Sequence, residues 1–437
     1  MKKAFIAACL LLCLIPSVGM LFFSTTKTSE NKKLAEFPQK LSHSVFQEFE
    51  TWFTQHMALR NPMVYADAKL QSVFGMSNVD GVILGEDGWL YYSDTLEDYQ
   101  GKVMSERQLF NLEHNFSLIA EYLEQQGIGF VLTIAPNKNT LYGEHMPYYY
   151  GSGSTVPHSA QKLELDEYYL DLFRLFEARE ETLYLKTDSH WNGKGAYLVY
   201  SALMEKMGLA PKEFGSPREI SRTDGDLNRM LYSFYGDAER DYAYDVKNWG
   251  DVEQGWLTTE NEAGSGTLLM FRDSFANNLI PFFSETFAKA YYSKGQPNLL
   301  ELYLEQYAPS YVVIQKVERN ISDYLDMPPV ITGVQTQLPD RVMITDTQTT
   351  ILCAQATADT RYWQISGQVD PAWLERDTRI VIQVGDTCYR AFHQGENGFV
   401  LYLKKGMVAR QDPLRVYLVN GDSCIQATVS SAELPQE

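Results

Sequence analysis

Ser274, His190 and Asp188 are the residues of this 437-residue chain whose types and positions would together support acyl transfer. A serine hydroxyl becomes a nucleophile when a base takes its proton, and an imidazole serves best when a carboxylate fixes its other nitrogen. Asp188-Ser189-His190-Trp191 offers carboxylate and base two residues apart in a loop. Ser274 follows the apolar strand Thr267-Leu-Leu-Met-Phe271 and opens a helix, where free N–H groups can meet an oxyanion. Plainer roles fit the same residues: Asp273 or Ser274 as a helix cap, Asp188 and His190 as turn residues. A third strand end, Ala135 to Tyr142, adds Asn137, Lys138 and Tyr142, candidates either for an oxyanion or substrate-binding role or for turn and packing duty. There is no HExxH and no CxxC, so neither a metal nor a cofactor is expected.

Chemistry at strand ends requires a sheet that brings them together. Ser105 and Gln108 form a capping box for a helix ending near Gly127, and Gly129–Ala135 follows as a fully apolar strand. The alternation continues with a helix at 160–178, a strand at 182–186, a helix at 193–207, a strand at 267–271 and a helix at 274–284. A strand at 287–292, a helix at 297–307 and a strand at 310–315 complete it. Helices alternating with apolar strands predict an α/β domain over 80–325, a mainly parallel sheet flanked by helices. The 212–262 loop is too long for an inert connection and reads as functional or as a lid. Upstream, residues 28–79 form a linker and an amphipathic helix carrying Phe46, Phe49, Trp52, Phe53 and Met57, and residues 81–92 form a hairpin. Downstream, Arg379–Val384, Gly398–Leu403 and Leu414–Val419 predict a small C-terminal β-sandwich over 330–437.

The chain carries 37 Lys and Arg against 56 Asp and Glu, a formal charge of −19, with no basic block, which argues against a nucleic-acid partner. Lys2 and Lys3 precede an uncharged run from Ala4 to Phe23, so residues 1–27 read as an export signal, either a retained membrane anchor or a peptide cleaved near Ser17-Val18-Gly19. Positive charge at the N-terminal side predicts that everything after Ser24 lies outside the cytoplasm. Three cysteines outside that run, Cys353, Cys388 and Cys424, leave room for one disulfide.

In order along the chain, Glu30-Asn31-Lys32-Lys33-Leu34-Ala35-Glu36-Phe37-Pro38, Trp52-Phe53 through Leu59-Arg60-Asn61-Pro62 and Val82-Ile-Leu-Gly85-Glu-Asp-Gly88-Trp89-Leu90 are followed by Pro136 to Pro147. Thr187 to Trp191, Arg272 to Phe275 and Val313 to Arg319 come next. This series resembles the DHHW family of exported proteins and the SGNH-hydrolase-like O-acetyltransferases of exopolysaccharide assembly, typified by alginate acetylation, over about 30–320. Ser189 replaces the first histidine of the family motif, a position at which the related acetyltransferases vary. The resemblance implies Ser274 as nucleophile, His190 as general base and Asp188 as its orienting group. It also implies a polysaccharide acceptor and a membrane-bound O-acyltransferase as donor partner, because acetyl-CoA is cytoplasmic. The same triad would serve a carbohydrate esterase. A third reading, a non-catalytic glycan-binding surface protein, rests on Tyr362, Trp363, Trp373, Tyr389 and Phe392 as sugar-stacking rings, although alternating aromatics in strands usually face inward. Arg272 is expected to pair with Glu318 inside the fold.

Overall fold

The computed structural model describes residues 34–40, 43–151, 153, 158–233, 236–296, 298–407 and 413–430, with Phe5, Ile6, Leu14 and residues 18–20 of the N-terminal run. Most of Ala4–Phe23, Cys9, Cys13 and the Glu30–Lys33 motif therefore lie outside the described residues. Among the described residues no helix is long and apolar enough to cross a membrane.

Two helices, α1 (Val45–His56) and α2 (Arg60–Ser72), precede the antiparallel hairpin of β1 (Val82–Leu84) and β2 (Leu90–Tyr92). Helix α3 (Glu106–Gln125) begins at the expected capping box, with the Ser105 hydroxyl accepting from Gln108 N and the Gln108 side chain accepting from Ser105 N. Its apolar face, Leu112, Phe116, Ile119 and Leu123, packs on the central sheet, each such side chain stabilising the fold by roughly 1.5–3 kcal/mol. Its other side carries polar residues into the C-terminal strands. Asn115 Nδ2 donates to His393 O at 2.9 Å, and Asn111 Nδ2 donates to Gly395 O at 2.8 Å.

The central sheet contains β3 (Gly129–Ala135), β4 (Tyr169–Leu170), β7 (Trp256–Glu260), β8 (Thr267–Phe271), β9 (Lys289–Ser293) and β10 (Tyr311–Val317), in the order β4-β3-β10-β8-β9-β7. All neighbours are parallel except β7, which runs antiparallel on the β9 edge. Parallel strands buried on both faces explain the apolar runs Val131–Ala135, in which only Thr133 is polar, and Leu268–Phe271. Register places Val317 opposite Ala135 and Ile314 opposite Phe271, so the strand ends that lead to Asn137, Ser274 and Arg319 emerge on one edge of the sheet.

Several expected elements differ. The helix expected at 160–178 is broken into Ser159–Lys162, the edge strand β4 and α4 (Leu172–Glu177), because Asp171 caps a new helix through its bond to Arg174 N. The expected strand at 182–186 reduces to a single antiparallel bridge, Tyr184 with Trp191, since the chain turns back at once through the Asp188–His190 loop. Helix α5 (Gly193–Lys206) matches its expectation. The 212–262 segment holds the hairpin of β5 (Arg218–Arg222) and β6 (Glu239–Ala243), helix α6 (Asp226–Tyr232) between them, and β7. The 274–284 helix is a tight 3₁₀ turn, Ser274–Asn278, continued by α7 (Ile280–Thr286) with Pro281 in its first turn. Helix α8 (Leu300–Tyr307) precedes β10.

Residues 335–430 form one continuous nine-stranded sheet of β11 (Gln335–Thr336), β12 (Val342–Gln355), β13 (Tyr362–Val369), β14 (Arg379–Val384), β15 (Thr387–Arg390), β16 (Phe392–Gln394), β17 (Gly398–Lys404), β18 (Leu414–Asn420) and β19 (Ser423–Ser430). Every neighbouring pair is antiparallel except β12 with β19. A bridge from Thr332 to Tyr402 brings the chain entering β11 onto β17, near the opposite end of the strand order. Ile365, Ile380, Ile382, Phe399, Leu401, Val416 and Leu418 fill its interior. Tyr362, Trp363, Tyr389 and Phe392 are buried as well, and of the five rings considered for sugar stacking only Trp373 is exposed, at 38%. Cys353, Cys388 and Cys424 are free thiols, so the disulfide left open by their number is not formed.

Candidate active site

Ser274 reaches its position through a cap that uses a different residue. Asp273 Oδ1 accepts from Phe275 N at 2.9 Å and its Oδ2 accepts from Val317 N at 2.6 Å, tying the turn to the end of β10. With capping assigned to Asp273, the Ser274 hydroxyl is free to face His190, and its Oγ donates to His190 Nε2 at 2.8 Å. On the other side of the ring, His190 Nδ1 donates to Asp188 Oδ1 at 2.6 Å, and His190 N bonds the same oxygen at 3.0 Å. The structure thus brings Asp188, His190 and Ser274 into one hydrogen-bonded line.

The Asp188–His190 loop is held from below by Lys138. Its buried ammonium donates to the carbonyls of Asp188 at 2.7 Å, Lys186 at 2.9 Å and Leu185 at 3.1 Å. Burial lowers the Lys138 pKa to about 8 against the pull of Asp226 and Asp188. Tyr142 OH accepts from Leu183 N at 2.9 Å, and Tyr184 OH donates to Pro136 O at 2.7 Å, which ties the loop to the end of β3. Asn137 donates through Nδ2 to Asp98 at 2.9 Å, and its N–H donates to Glu318 Oε2 at 2.7 Å. The polar groups of Asn137, Lys138 and Tyr142 are thus engaged by protein partners, the arrangement of residues that position a loop. Trp191 is fully buried against Phe275, whose ring centroid lies 4.7 Å from that of His190 and so flanks the imidazole with an apolar wall.

Arg272 does not pair with Glu318. Its guanidinium turns toward the 252–277 region, donating to Val252 O at 2.7 Å, Gln254 O at 3.1 Å and Asn277 Oδ1. Glu318 accepts instead from Asn137 N, from Thr140 Oγ1 at 2.8 Å and from His158 Nδ1 at 2.7 Å. The reason is geometric: Arg272 ends β8 and lies toward β9, through its N–H bond to Ser293 O, whereas Glu318 leaves β10 toward β3.

The 212–262 segment supplies residues that spacing alone does not single out. Asp226 N donates to Asp188 Oδ2 at 3.1 Å, and Arg222 Nη2 lies 3.7 Å from the same oxygen. Asp226 accepts from Ser189 N at 2.7 Å and from the Ser189 hydroxyl, and its Oδ2 lies 3.6 Å from His190 Nδ1. Ser189, where the family motif has histidine, therefore anchors the loop to α6. Glu239 accepts from Lys186 N at 2.7 Å and from Thr187 N. The signal available in the sequence is the excess length of this segment and the Asp224-Gly225-Asp226 turn at the start of α6.

Charge follows from these contacts. Burial alone would raise Asp188, but His190 and Arg222 hold its carboxyl far below the usual range. Burial alone would lower His190, but Asp188, then Asp226 and Asp273, raise its pKa overall. Asp226 is raised by burial and by the neighbouring Asp188 charge. Asp188, His190 and Asp226 offer ligand atoms within 4.8 Å of one another, the spacing of a metal site. The two carboxylates already accept from Ser189 and from backbone N–H groups, His190 Nδ1 donates to Asp188, and Arg222 lies beside Asp188, a donor set suited to holding a carboxylate in place and unsuited to a cation.

Residues 82–243 match the family described as the SGNH hydrolase-like domain of acetyltransferase AlgX, which includes Asp188 and His190 and stops short of Ser274. Curated relatives include the probable alginate O-acetylase AlgJ of Pseudomonas syringae pv. tomato, 31% identical over 173 residues, covering 35% of this chain and 41% of that protein. The protein of the same name from Pseudomonas fluorescens is 29% identical over 174 residues, again covering 35% and 41%. The match thus spans about two fifths of these relatives' length. Among solved structures, Bacillus cereus PatB1 aligns with a TM-score of 0.43 at 16% identity, covering 55% of this chain and 96% of that one. A DHHW family protein from Eubacterium siraeum aligns at 0.39 and 15%, covering 56% and 94%. Over this stretch the chain is therefore similar to the SGNH hydrolase-like acetyltransferases that its motifs resemble.

Proposed function

We propose that this chain is an exported O-acetyltransferase that moves an acetyl group through an acyl-serine onto a cell-surface or secreted polysaccharide. The observation that carries the reading is His190 bonded at once to Asp188 at 2.6 Å and to Ser274 at 2.8 Å. The similarity to acetylases named for alginate supports the acyl-transfer class.

In the first half-reaction His190 Nε2 takes the Ser274 proton as Oγ attacks the acetyl carbonyl. Asp188 keeps the proton on Nδ1 and stabilises the imidazolium that forms. The tetrahedral oxyanion is met by the Ser274 N–H and neighbouring groups. The intermediate collapses to acetyl-Ser274 as the donor's alcohol leaves with the proton held on Nε2. In the second half, a sugar hydroxyl gives its proton to Nε2 and attacks the acyl carbonyl, and Ser274 leaves with that proton. An extracytoplasmic site has no acetyl-CoA, so the donor partner is a membrane-bound O-acyltransferase, and residues 1–27 would hold the two proteins together as an anchor. The C-terminal sheet, in this reading a small sandwich, lies beside α3 and is the natural module to guide a polymer.

The test is intact-mass analysis of the detergent-solubilised full chain after incubation with a chromogenic acetyl ester. An adduct of about 42 Da, the mass of an acetyl group, on wild type and absent from Ser274→Ala is expected. Equal inertness of both chains toward several esters, with oligosaccharide acceptors present, would overturn the enzyme reading. Adduct turnover by water alone, unaffected by any saccharide, would assign the esterase chemistry instead.

A further inference from the structure

We infer that Arg319 is the substrate-contacting cation of this site, holding an anionic oxygen group of the acyl acceptor, either the carboxylate of a uronic acid ring or the phosphate of a polyol phosphate chain. The inference rests on the acyl-serine reading above and adds to it the chemistry of the acceptor.

Arg319 sits two residues beyond Val317, whose N–H is bonded to Asp273, the residue before the nucleophile. Its guanidinium carbon lies 5.9 Å from the centroid of the Phe275 ring and 5.1 Å from that of Tyr92. The Phe275 ring is the same one that flanks His190 at 4.7 Å. The cation and the base therefore border one aromatic wall, and the side chain is half-buried, open to the surface.

The hydrogen-bonding state of Arg319 distinguishes it from Arg222 and Arg272, the arginines beside Asp188 and Ser274. A guanidinium has five N–H donors. Among the described residues Arg319 has a single hydrogen bond, a long one from Nη1 to Asn137 Oδ1 at 3.4 Å, and no ion pair. Arg222 contacts Asp188, Asp224 and Asp241, and Arg272 is held by three carbonyls and Asn277. The neighbouring carboxylates are engaged elsewhere. Asp98 accepts from Asn137 Nδ2, and Glu318 accepts from Asn137 N, Thr140 and His158. A fork of unused charged donors stacked on two rings is pre-organised for a planar or tetrahedral oxyanion at little entropic cost. The acidic surroundings favour such a cation for an anionic acceptor, since Lys138, Arg222 and Arg272 are engaged by protein partners. The chain carries −19, and Asp188, Asp226 and Asp273 all act on His190, so an available cation beside the serine would offset the repulsion of a charged polymer.

The test is direct binding to the Ser274→Ala chain, which cannot turn over the ligand, measured calorimetrically with three probes: an oligogalacturonate, a glycerol phosphate oligomer and a neutral galactan oligomer of matched length. One anionic probe should bind more tightly than the neutral one, and which of the two does so identifies the source. Adding Arg319→Gln should weaken that probe by about ten- to a hundredfold, the worth of a hydrogen-bonded charge pair, and erase its preference over the neutral oligomer. Arg319→Lys should restore part of the preference, which a variant damaged in folding would not do. Equal affinity for charged and neutral oligomers, or an anionic preference indifferent to Arg319→Gln, would overturn the assignment. If the preference depends on Arg319 while wild type forms no acetyl adduct, the anion site stands and the acyl-serine reading falls. If the adduct forms without the preference, the acyl-serine reading stands and the anion site falls.

Discussion

Replacing Asp188 by asparagine tests the site where its geometry is most constrained. Asp188 Oδ1 accepts two N–H groups of His190, and Oδ2 faces Asp226 N at 3.1 Å and Arg222 at 3.7 Å. Both oxygens thus face donors only, and an amide must turn its NH₂ toward one pair. Facing Arg222 and Asp226 N it would oppose a cation and a backbone donor, so the amide oxygen should go there and the NH₂ toward His190 Nδ1. The imidazole must then accept at Nδ1 and carry its proton on Nε2, where it cannot take one from Ser274. A wrong-tautomer triad loses about 10⁴ in turnover, as in the serine protease case, equivalent to roughly 5.4 kcal/mol of transition-state stabilisation. The assay is burst kinetics of acetyl-serine formation on the full chain, with imidazole nitrogen chemical shifts reporting the tautomer. An Asp188→Asn chain that acylates within tenfold of wild type, or one whose His190 keeps its proton on Nδ1, would refute the reasoning.

The pH dependence of acylation follows from His190, whose pKa is raised by Asp188 and Asp226 against the effect of burial. The base is competent only when neutral, so the rate falls as pH drops through this raised pKa. Asp226→Asn removes one of the charges that favour the imidazolium, and the acid limb of the kcat/KM profile should move to lower pH; a move to higher pH would contradict the assignment. Gly225→Ala places a Cβ 2.7 Å from Thr187 O, too close for either backbone to keep its place. The loop carrying Asp188 and His190 would shift, with an expected loss of about 10²-fold in acylation and a stability cost of about 1–3 kcal/mol in denaturant unfolding. Stability lost with activity intact would show that the 222–228 turn does not set the loop.

The sequence carries the central sheet well because its parallel strands are buried on both faces and read as largely apolar runs, as in Gly129–Ala135 and Thr267–Phe271. It carries helix α3 because Ser105 and Gln108 mark its start. It misplaces elements where tertiary contacts decide the conformation. The 182–186 segment has strand-like composition, but its polar backbone groups are used by Lys138, Glu239 and Leu90, so it forms a loop scaffold with a single bridge. The 160–178 segment breaks at Asp171, whose capping bond competes with helix continuation. Charge alone pairs Arg272 with Glu318, whereas strand order sends the two to opposite sides of Ser274.

The triad and its support differ in legibility for a related reason. Asp188, His190 and Ser274 are short-range features of three strand ends, so type and local position are informative. Arg222, Asp226 and Glu239 act from 34 to 52 residues away along the chain, by way of a hairpin and helix whose placement is tertiary. Their contribution is nevertheless what holds the loop's carboxylate and imidazole in place. Without Arg222 and the Asp226 N–H, the Asp188 carboxylate would be buried with one oxygen unsatisfied and would tend to take up a proton. A protonated Asp188 would no longer favour the imidazolium that nucleophilic attack creates. The long segment that reads as functional or as a lid supplies Arg222 and Asp226 beneath the loop, and these add to the mutual effect of Asp188 and His190 in holding the carboxyl low and the imidazole high.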